Sequence, residues 1–289
     1  MKHAFLITAY TDFDFLKKTV EIYTSDERVD CYIHVDRKVK IPEDLKKWAE
    51  NKDRVCLFSK YKVNWGSYKH ISAVLFLMKQ ALNKGSYDYF HIISANSFIT
   101  GNISEILDFF EQGEGKTNYV QVVDLEEDDK DKVIDPWFIY YHFLHIYNKR
   151  SEKGYAFDKF LEKVQRKLGI RRKTRYKYKG LLYAHYTGEF VEYVLKYVKG
   201  HPGYLRNLKM CNISEEFFFQ NILMYSPFKD KVYNSHLIYD VWNAGGVAQF
   251  LSEADYEKIK KGEYLFARKF GKGSEKLFEM ICREGGMRE

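Results

Sequence analysis

Apolar positions recur along this chain with two periods, and each switch from one to the other marks an element. His3 to Tyr10 is a short apolar run bounded by Thr11, Asp12 and Asp14, which reads as a buried strand. Phe13 to Tyr23 then spaces its apolar residues as a helix does, and Cys31 to Val35 is a second apolar run, ending at Asp36. A helix from about Glu43 to Asn51, a strand from Val55 to Ser59 and a longer helix from Ser67 to Leu82 follow. In the last of these, Ile71, Val74, Leu75, Met78 and Leu82 share one face. Tyr87 to Ser94 closes the series as another buried strand. Strands alternating with helices of this length predict an α/β fold, a mostly parallel central sheet flanked by helices with right-handed crossovers. Ligands of such sheets sit beyond the carboxyl ends of the strands, where Asp36, Trp65, Gly66 and the turn after Ser94 fall.

Beyond Asn102 the pattern loosens. A short helix from Ile103 to Phe110 and a strand from Tyr119 to Leu125 lead into an acidic stretch, EEDDKDK, and an aromatic segment, WFIYYHFLHIY. A helix from about Phe157 to Leu168 precedes the basic run RRKTRYKYK, Arg171 to Lys179. The spacing then predicts a strand near Leu181 to Tyr186, a helix from Glu189 to Lys199 and another opened by Ser214. No Pro/Gly/Ser linker, repeat or low-complexity tract divides the 289 residues, so one domain is expected.

Composition narrows the partners. At 45% hydrophobic and 30% charged residues, a soluble globular protein with a sizeable core is expected. No apolar run approaches the roughly 20 residues that span a bilayer, and MKHAFLITAY enters the first strand at once, which predicts a cytoplasmic protein. Cys31, Cys56, Cys211 and Cys282 lie far apart, signalling neither a disulfide framework nor a zinc site. A formal charge of +7 suits an anionic partner: a nucleotide diphosphate, a phospholipid surface or nucleic acid. The 24 Tyr and 22 Phe fit stacking against sugar rings, although core filling accounts for most aromatics in any protein.

Two segments carry candidate chemistry. In ISEEFFFQNIL, residues 213–223, Ser214 is suited to cap a helix whose first turn holds Glu215 and Glu216. Three phenylalanines follow Glu216 and place its carboxylate at the rim of a dry region, where desolvation raises its proton affinity toward that of a general base. The duller reading is two acids at the positive end of a helix dipole. In LFARKF, residues 265–270, strand alternation sends Arg268 to the face of Phe266 and Phe270 and Lys269 to the other. The pair reads either as a diphosphate clamp or as snorkelling surface cations.

These segments resemble the core-2/I-branching β-1,6-N-acetylglucosaminyltransferase family in its shorter bacterial form. The resemblance runs through LITAY, YIHVDRK, VNWGSYKHISAVLFLMKQAL, YDYFHIISANSFIT, GLLYAHYTGEFVEYVL and SEEFFFQNILMYSPF to LFARKF, in matching order. It implies a GT-A-like nucleotide-sugar transferase fold without the usual Asp-x-Asp metal motif, and an inverting transfer from a UDP-sugar to a glycan hydroxyl that needs no cofactor. Residues 1–100 would form the nucleotide-binding half and 101–289 the acceptor and catalytic half. Position by position, Glu216 matches the family's base and Lys269 its diphosphate-binding lysine, with Arg268 beside it. Asp36 matches the aspartate that reads uracil, and Ile7 and Trp65 match positions that flank the nucleotide.

Three departures bear on the sugar and acceptor. Ser94 to Thr100 lacks the acidic residue of the family's corresponding segment, Ile238 stands where many relatives have an arginine, and Leu182-Tyr183 replaces a Gln-Trp pair. Competing expectations are a metal site at Asp129 and Asp131, set against a solvated acidic loop, and, for the basic run, a single-stranded nucleic-acid surface or an anionic-membrane contact. The enzyme reading leaves no role for nucleic acid. A sugar-binding module without catalysis is the remaining alternative, against which both Glu216 and Lys269 stand.

Overall fold

The computed structural model describes residues 1–113 and 116–287. Its strands in chain order are β1 (His3–Ala9), β2 (Val29–Val35), β3 (Val55–Phe58), β4 (Tyr89–Ser94), β5 (Ser97–Ile99), β6 (Asn118–Tyr119), β7 (Val123–Asp124), β8 (Tyr178–Lys179), β9 (Ala184–Thr187), β10 (Val232–Tyr233), β11 (Ile238–Asp240) and β12 (Phe266–Arg268). The helices are α1 (Phe13–Tyr23), α2 (Glu43–Glu50), α3 (Tyr68–Lys84), α4 (Ile103–Gln112), the short α5 (Leu125–Asp128) and α6 (Pro136–Ile139), then α7 (Glu152–Lys167), α8 (Gly188–Gly200), α9 (Pro202–Leu208), α10 (Glu215–Met224), α11 (Tyr256–Lys261) and α12 (Glu275–Glu284).

Seven strands form the central sheet in the order β10-β6-β9-β4-β1-β2-β3, and the first four in sequence all run parallel. Only β9 opposes its neighbours, so the sheet is mostly parallel, as the alternation predicts. Successive side chains of a strand point to opposite faces, and β1 shows the consequence. Phe5, Ile7 and Ala9 pack on one face with Leu16 and Val20 of α1, whereas Ala4 and Leu6 pack on the other with Ile71 and Val74 of α3. Burial on both faces is why these strands read as unbroken apolar runs.

Differences gather in the second half. The strand expected over Tyr119 to Leu125 is broken into β6 and β7, which lie in different sheets, because Val122 bonds to the Asn234 side chain. The helix expected from Phe157 begins at Glu152, where Ser151 Oγ caps the Gly154 N–H at 3.1 Å. A three-stranded sheet, β11-β12-β5, joins segments the sequence reading kept apart: Ser94 to Thr100 pairs antiparallel with LFARKF, Ser97 opposite Arg268.

Candidate active site

The carboxyl ends of β1 and β2 lie level, Ala9 beside Val35, and Asp36 follows at once. Asp36 is buried, and its Oδ1 accepts the N–H groups of Lys38 at 2.9 Å and Val63 at 3.2 Å, which ties the β2 exit to the loop before Trp65. Lys38 Nζ lies 3.3 Å from the same carboxylate. Ile7, by contrast, is buried in the sheet core with 1% exposure, so its side chain contributes packing at this edge.

Gly66 has φ +72°, a conformation that suits glycine, and a Cβ there would lie 3.2 Å from Leu144 Cδ1 and 3.3 Å from Ile213 Cα. Its carbonyl accepts the Ser214 N–H at 3.0 Å, fixing the start of α10. Ser214 does not cap that helix as the sequence reading expects: it has helical geometry itself and turns its hydroxyl to the Gly66 carbonyl at 3.4 Å. Ile213, just before it, holds φ 44°, a strained value for a β-branched residue and one kept only where packing determines it.

The two acids of α10 meet different partners. Glu215 Oε2 lies 2.8 Å from His70 Nδ1, and His70 Nε2 lies 3.1 Å from Thr8 Oγ1 at the end of β1. Glu216 Oε2 instead forms a 2.7 Å ion pair with Lys179 of β8. Gly180 makes that pairing possible: a Cβ there would fall 1.9 Å from the Gln121 carbonyl, and its N–H donates to the Glu216 carbonyl at 2.9 Å. Burial pushes the Glu216 carboxyl above its ordinary value, Lys179 works against that shift and Glu215 adds to it. The side chain as a whole is 16% exposed, while its Oε2 is buried against Lys179.

Arg268, 8% exposed, ends β12 with its guanidinium 4.4 Å from the Tyr183 ring and 5.5 Å from the Trp242 ring. Its Nη1 lies 3.6 Å from Asp240 Oδ2, yet among the described residues neither Nε nor Nη1 makes a hydrogen bond. Lys269 places its ammonium 4.4 Å from the Phe250 ring, and burial, then the nearby charges of Arg150 and Arg268, lower its proton affinity. Arg150 stacks 4.5 Å over Trp65. Three cations from two segments, the adjacent Arg268 and Lys269 and the distant Arg150, thus share one region with aromatic walls and Asp240 as the nearby counter-charge, an arrangement suited to a dianion.

Sequence reasoning named Glu216, Ile7, Asp36, Trp65, Gly66, Arg268 and Lys269, met Tyr183 only as part of a departure from the family pattern, and missed Lys179, His70 and Arg150. Lys179 closes the basic run directly before the required Gly180, and that adjacency was its only local sign. Asp129 spends its carboxylate on the N–H groups of Val133 and Ile134, at 2.9 and 2.8 Å, as a loop acid does. Ile238 is buried in β11 opposite Phe266.

Residues 3–261 match the family model described as Branch: Core-2/I-Branching enzyme. No curated protein sequence matches the chain. Among solved structures it is similar to S. aureus TarS 1-349 in complex with UDP-GlcNAc, at 10% identity and TM-score 0.32, over 42% of this chain and 34% of that one, about a third of TarS 1-349. It is also similar to 4-diphosphocytidyl-2C-methyl-D-erythritol synthase, at 10% identity and TM-score 0.39, over 90% of this chain and 98% of that one.

Proposed function

The chain belongs to the Core-2/I-branching enzyme family, and from that premise we propose that it is a glycosyltransferase that moves N-acetylglucosamine from a UDP donor to a glycan hydroxyl, with inversion and without a metal ion. The resemblance to the shorter bacterial members supports a place in surface polysaccharide or glycolipid synthesis. One observation carries the mechanism: a desolvated carboxylate with raised proton affinity, Glu216, stands on the fold that also gathers Arg268, Lys269 and Arg150.

In this reading the acceptor hydroxyl lies between Glu216 and the anomeric carbon. Its oxygen forms the new glycosidic bond from the face opposite the nucleotide while its proton passes to Glu216, and the bond from the anomeric carbon to the β-phosphate oxygen breaks. The departing diphosphate takes the negative charge, which Lys269 and Arg268 stabilise without needing to protonate it. Asp36 accepts from the uracil, and Trp65 and Gly66 border the nucleotide. Lys179 holds the Glu216 carboxylate in place and works against the rise in its proton affinity that burial causes.

Thermal melting against a panel of UDP-sugars tests the reading, because a ligand bound only to the folded state raises the melting temperature. UDP-N-acetylglucosamine is expected to give the largest rise, with slow donor hydrolysis in excess EDTA. A panel in which no UDP-sugar shifts melting or is hydrolysed would overturn the reading.

A further inference from the structure

Helix α7 is docked by the wrong residues for an ordinary surface helix, whose apolar side faces the core. Its buried positions are Gly154, Asp158 and Gln165. Asp158 takes hydrogen bonds from His142 Nδ1 at 2.9 Å and Tyr147 Oη at 2.5 Å, with Lys149 Nζ at 3.0 Å, while Gln165 bonds both ways to the Tyr141 backbone. Polar contacts fill its buried face; Phe157 meets Tyr147 edge-on and Val164 is partly buried, while much of the remaining apolar surface stays exposed. Phe157, Phe160, Val164 and Leu168 follow at spacings of three and four and therefore line one side. Phe157 is 48% exposed, Phe160 60% and Leu168 65%, and exposed Ile170 continues the series.

Charge accompanies this stripe. Lys163 and Lys167, four residues apart, lie along one edge of it, and Lys153, two turns before Phe160, heads its line, by helical geometry. The chain then becomes extended, and alternation buries Arg172 and Tyr176 while exposing Arg171, Lys173 and Arg175. Arg172 anchors that segment through the Phe138 and Met210 carbonyls at 2.9 and 3.2 Å. The six exposed cations have no carboxylate partner among the described residues, whereas Lys159 and Arg166 pair with Glu162. Lys173 and Thr174 border two recesses, of about 500 and 420 Å³, and neither has an acidic residue in its wall.

From this juxtaposition we infer that the α7 face and the adjoining basic segment form a docking surface for an anionic phospholipid membrane, the stripe entering the acyl boundary while the cations meet headgroup phosphates. No helix among the described residues is long and apolar enough to cross a bilayer, so the contact is peripheral. An apolar helix face edged by lysines is the chemistry of an interfacial helix, and the unpaired cations supply the complementarity that selects an anionic surface over a protein groove. The inference stands independently of the sugar-transfer reading.

Co-sedimentation of the full chain with extruded vesicles tests it, comparing phosphatidylcholine alone with mixtures containing phosphatidylglycerol. Partitioning is expected only with the anionic lipid and is expected to fall with salt. Replacing Lys163, Lys167 and Arg171 by Gln should weaken it about a hundredfold, at about fivefold per basic residue near the surface. Phe157→Ser with Phe160→Ser and Leu168→Ser should weaken it about tenfold or more even at low salt. Circular dichroism of both variants, altered only at exposed positions, establishes that they are folded. Equal binding to both vesicle types, or parental binding by either folded variant, would overturn the inference. A dimer that the serine variant breaks would assign the face to a second copy, and preferential binding of single-stranded oligonucleotide would assign the basic segment to nucleic acid; each would overturn it too.

Discussion

Two groups of cations in this protein are held in opposite ways. Around the candidate site Arg268, Lys269 and Arg150 lie 4.4 to 4.5 Å from the rings of Tyr183, Phe250 and Trp65. On α7 and the segment after it, Lys163, Lys167, Arg171, Lys173 and Arg175 stand in water. A charge fixed against a ring and partly desolvated acts at one place and alters its neighbours' proton affinities, as the lowered affinity of Lys269 shows. A solvated charge acts through its field over about 8–10 Å and is screened by salt. Composition counts the two alike, but only the first kind can stabilise charge developing in a reaction.

The largest effect expected from breaking the fixed set is at its acidic end. Glu216→Gln should keep UDP binding and lose transfer by about two to four orders of magnitude, with Glu215→Gln losing far less. Single-turnover kinetics with both variants decide this, and the reverse order would move the base to Glu215 and its His70 partner. Lys269→Ala comes next, with a loss of about 10²–10³ in kcat. Parental activity in the same assay should be indifferent to EDTA; inactivation by EDTA with rescue by manganese would redirect attention to Asp129 and Asp131.

Arg150 sharpens the comparison, because it is an exposed residue stacked on a site tryptophan and so borders both groups. Arg150→Ala is expected to weaken UDP about tenfold in calorimetry while leaving uridine unchanged, and Asp36→Ala to weaken both by a smaller factor. Unchanged UDP affinity would place Arg150 with the solvated set. On that side, Lys167→Glu should leave transfer to a soluble acceptor within about twofold; a larger loss would mean that the surface charges reach the chemistry.

The smallest effect is on stability. Because burial raises the Glu216 carboxyl above its unfolded value, the folded chain binds that proton more tightly. Its contribution is therefore fully present below the unfolded value near pH 4.5 and is lost as pH rises through the folded value. Glu216→Gln should melt slightly higher than the parent at neutral pH, with the gap closing toward pH 4. A gap that widens on acidification would contradict the sign.

The first hundred residues were legible because both faces of a parallel sheet are buried, so strand and helix periods appear directly in the order of residues. Phe5 and Leu6 belong to opposite cores, yet both are apolar, and the run reads as a strand without knowledge of either. The burial of Glu216 was legible from its aromatic sequel. The misread segments are those tied to distant parts of the chain: the Val122 N–H to the Asn234 side chain, and the Ser214 N–H and hydroxyl to the Gly66 carbonyl.

What the sequence determined by itself was therefore local: which segments are apolar enough to be buried, where their periods change, and which residue types stand at the strand ends. Only the tertiary structure decided that Lys179 meets Glu216 rather than pointing outward with Arg171, Lys173 and Arg175, that His70 takes Glu215, and that Arg150 lies over Trp65. An ionic or stacking contact depends on where two distant segments are brought together, and that is set by the packing of the whole core, which no local window of residues contains.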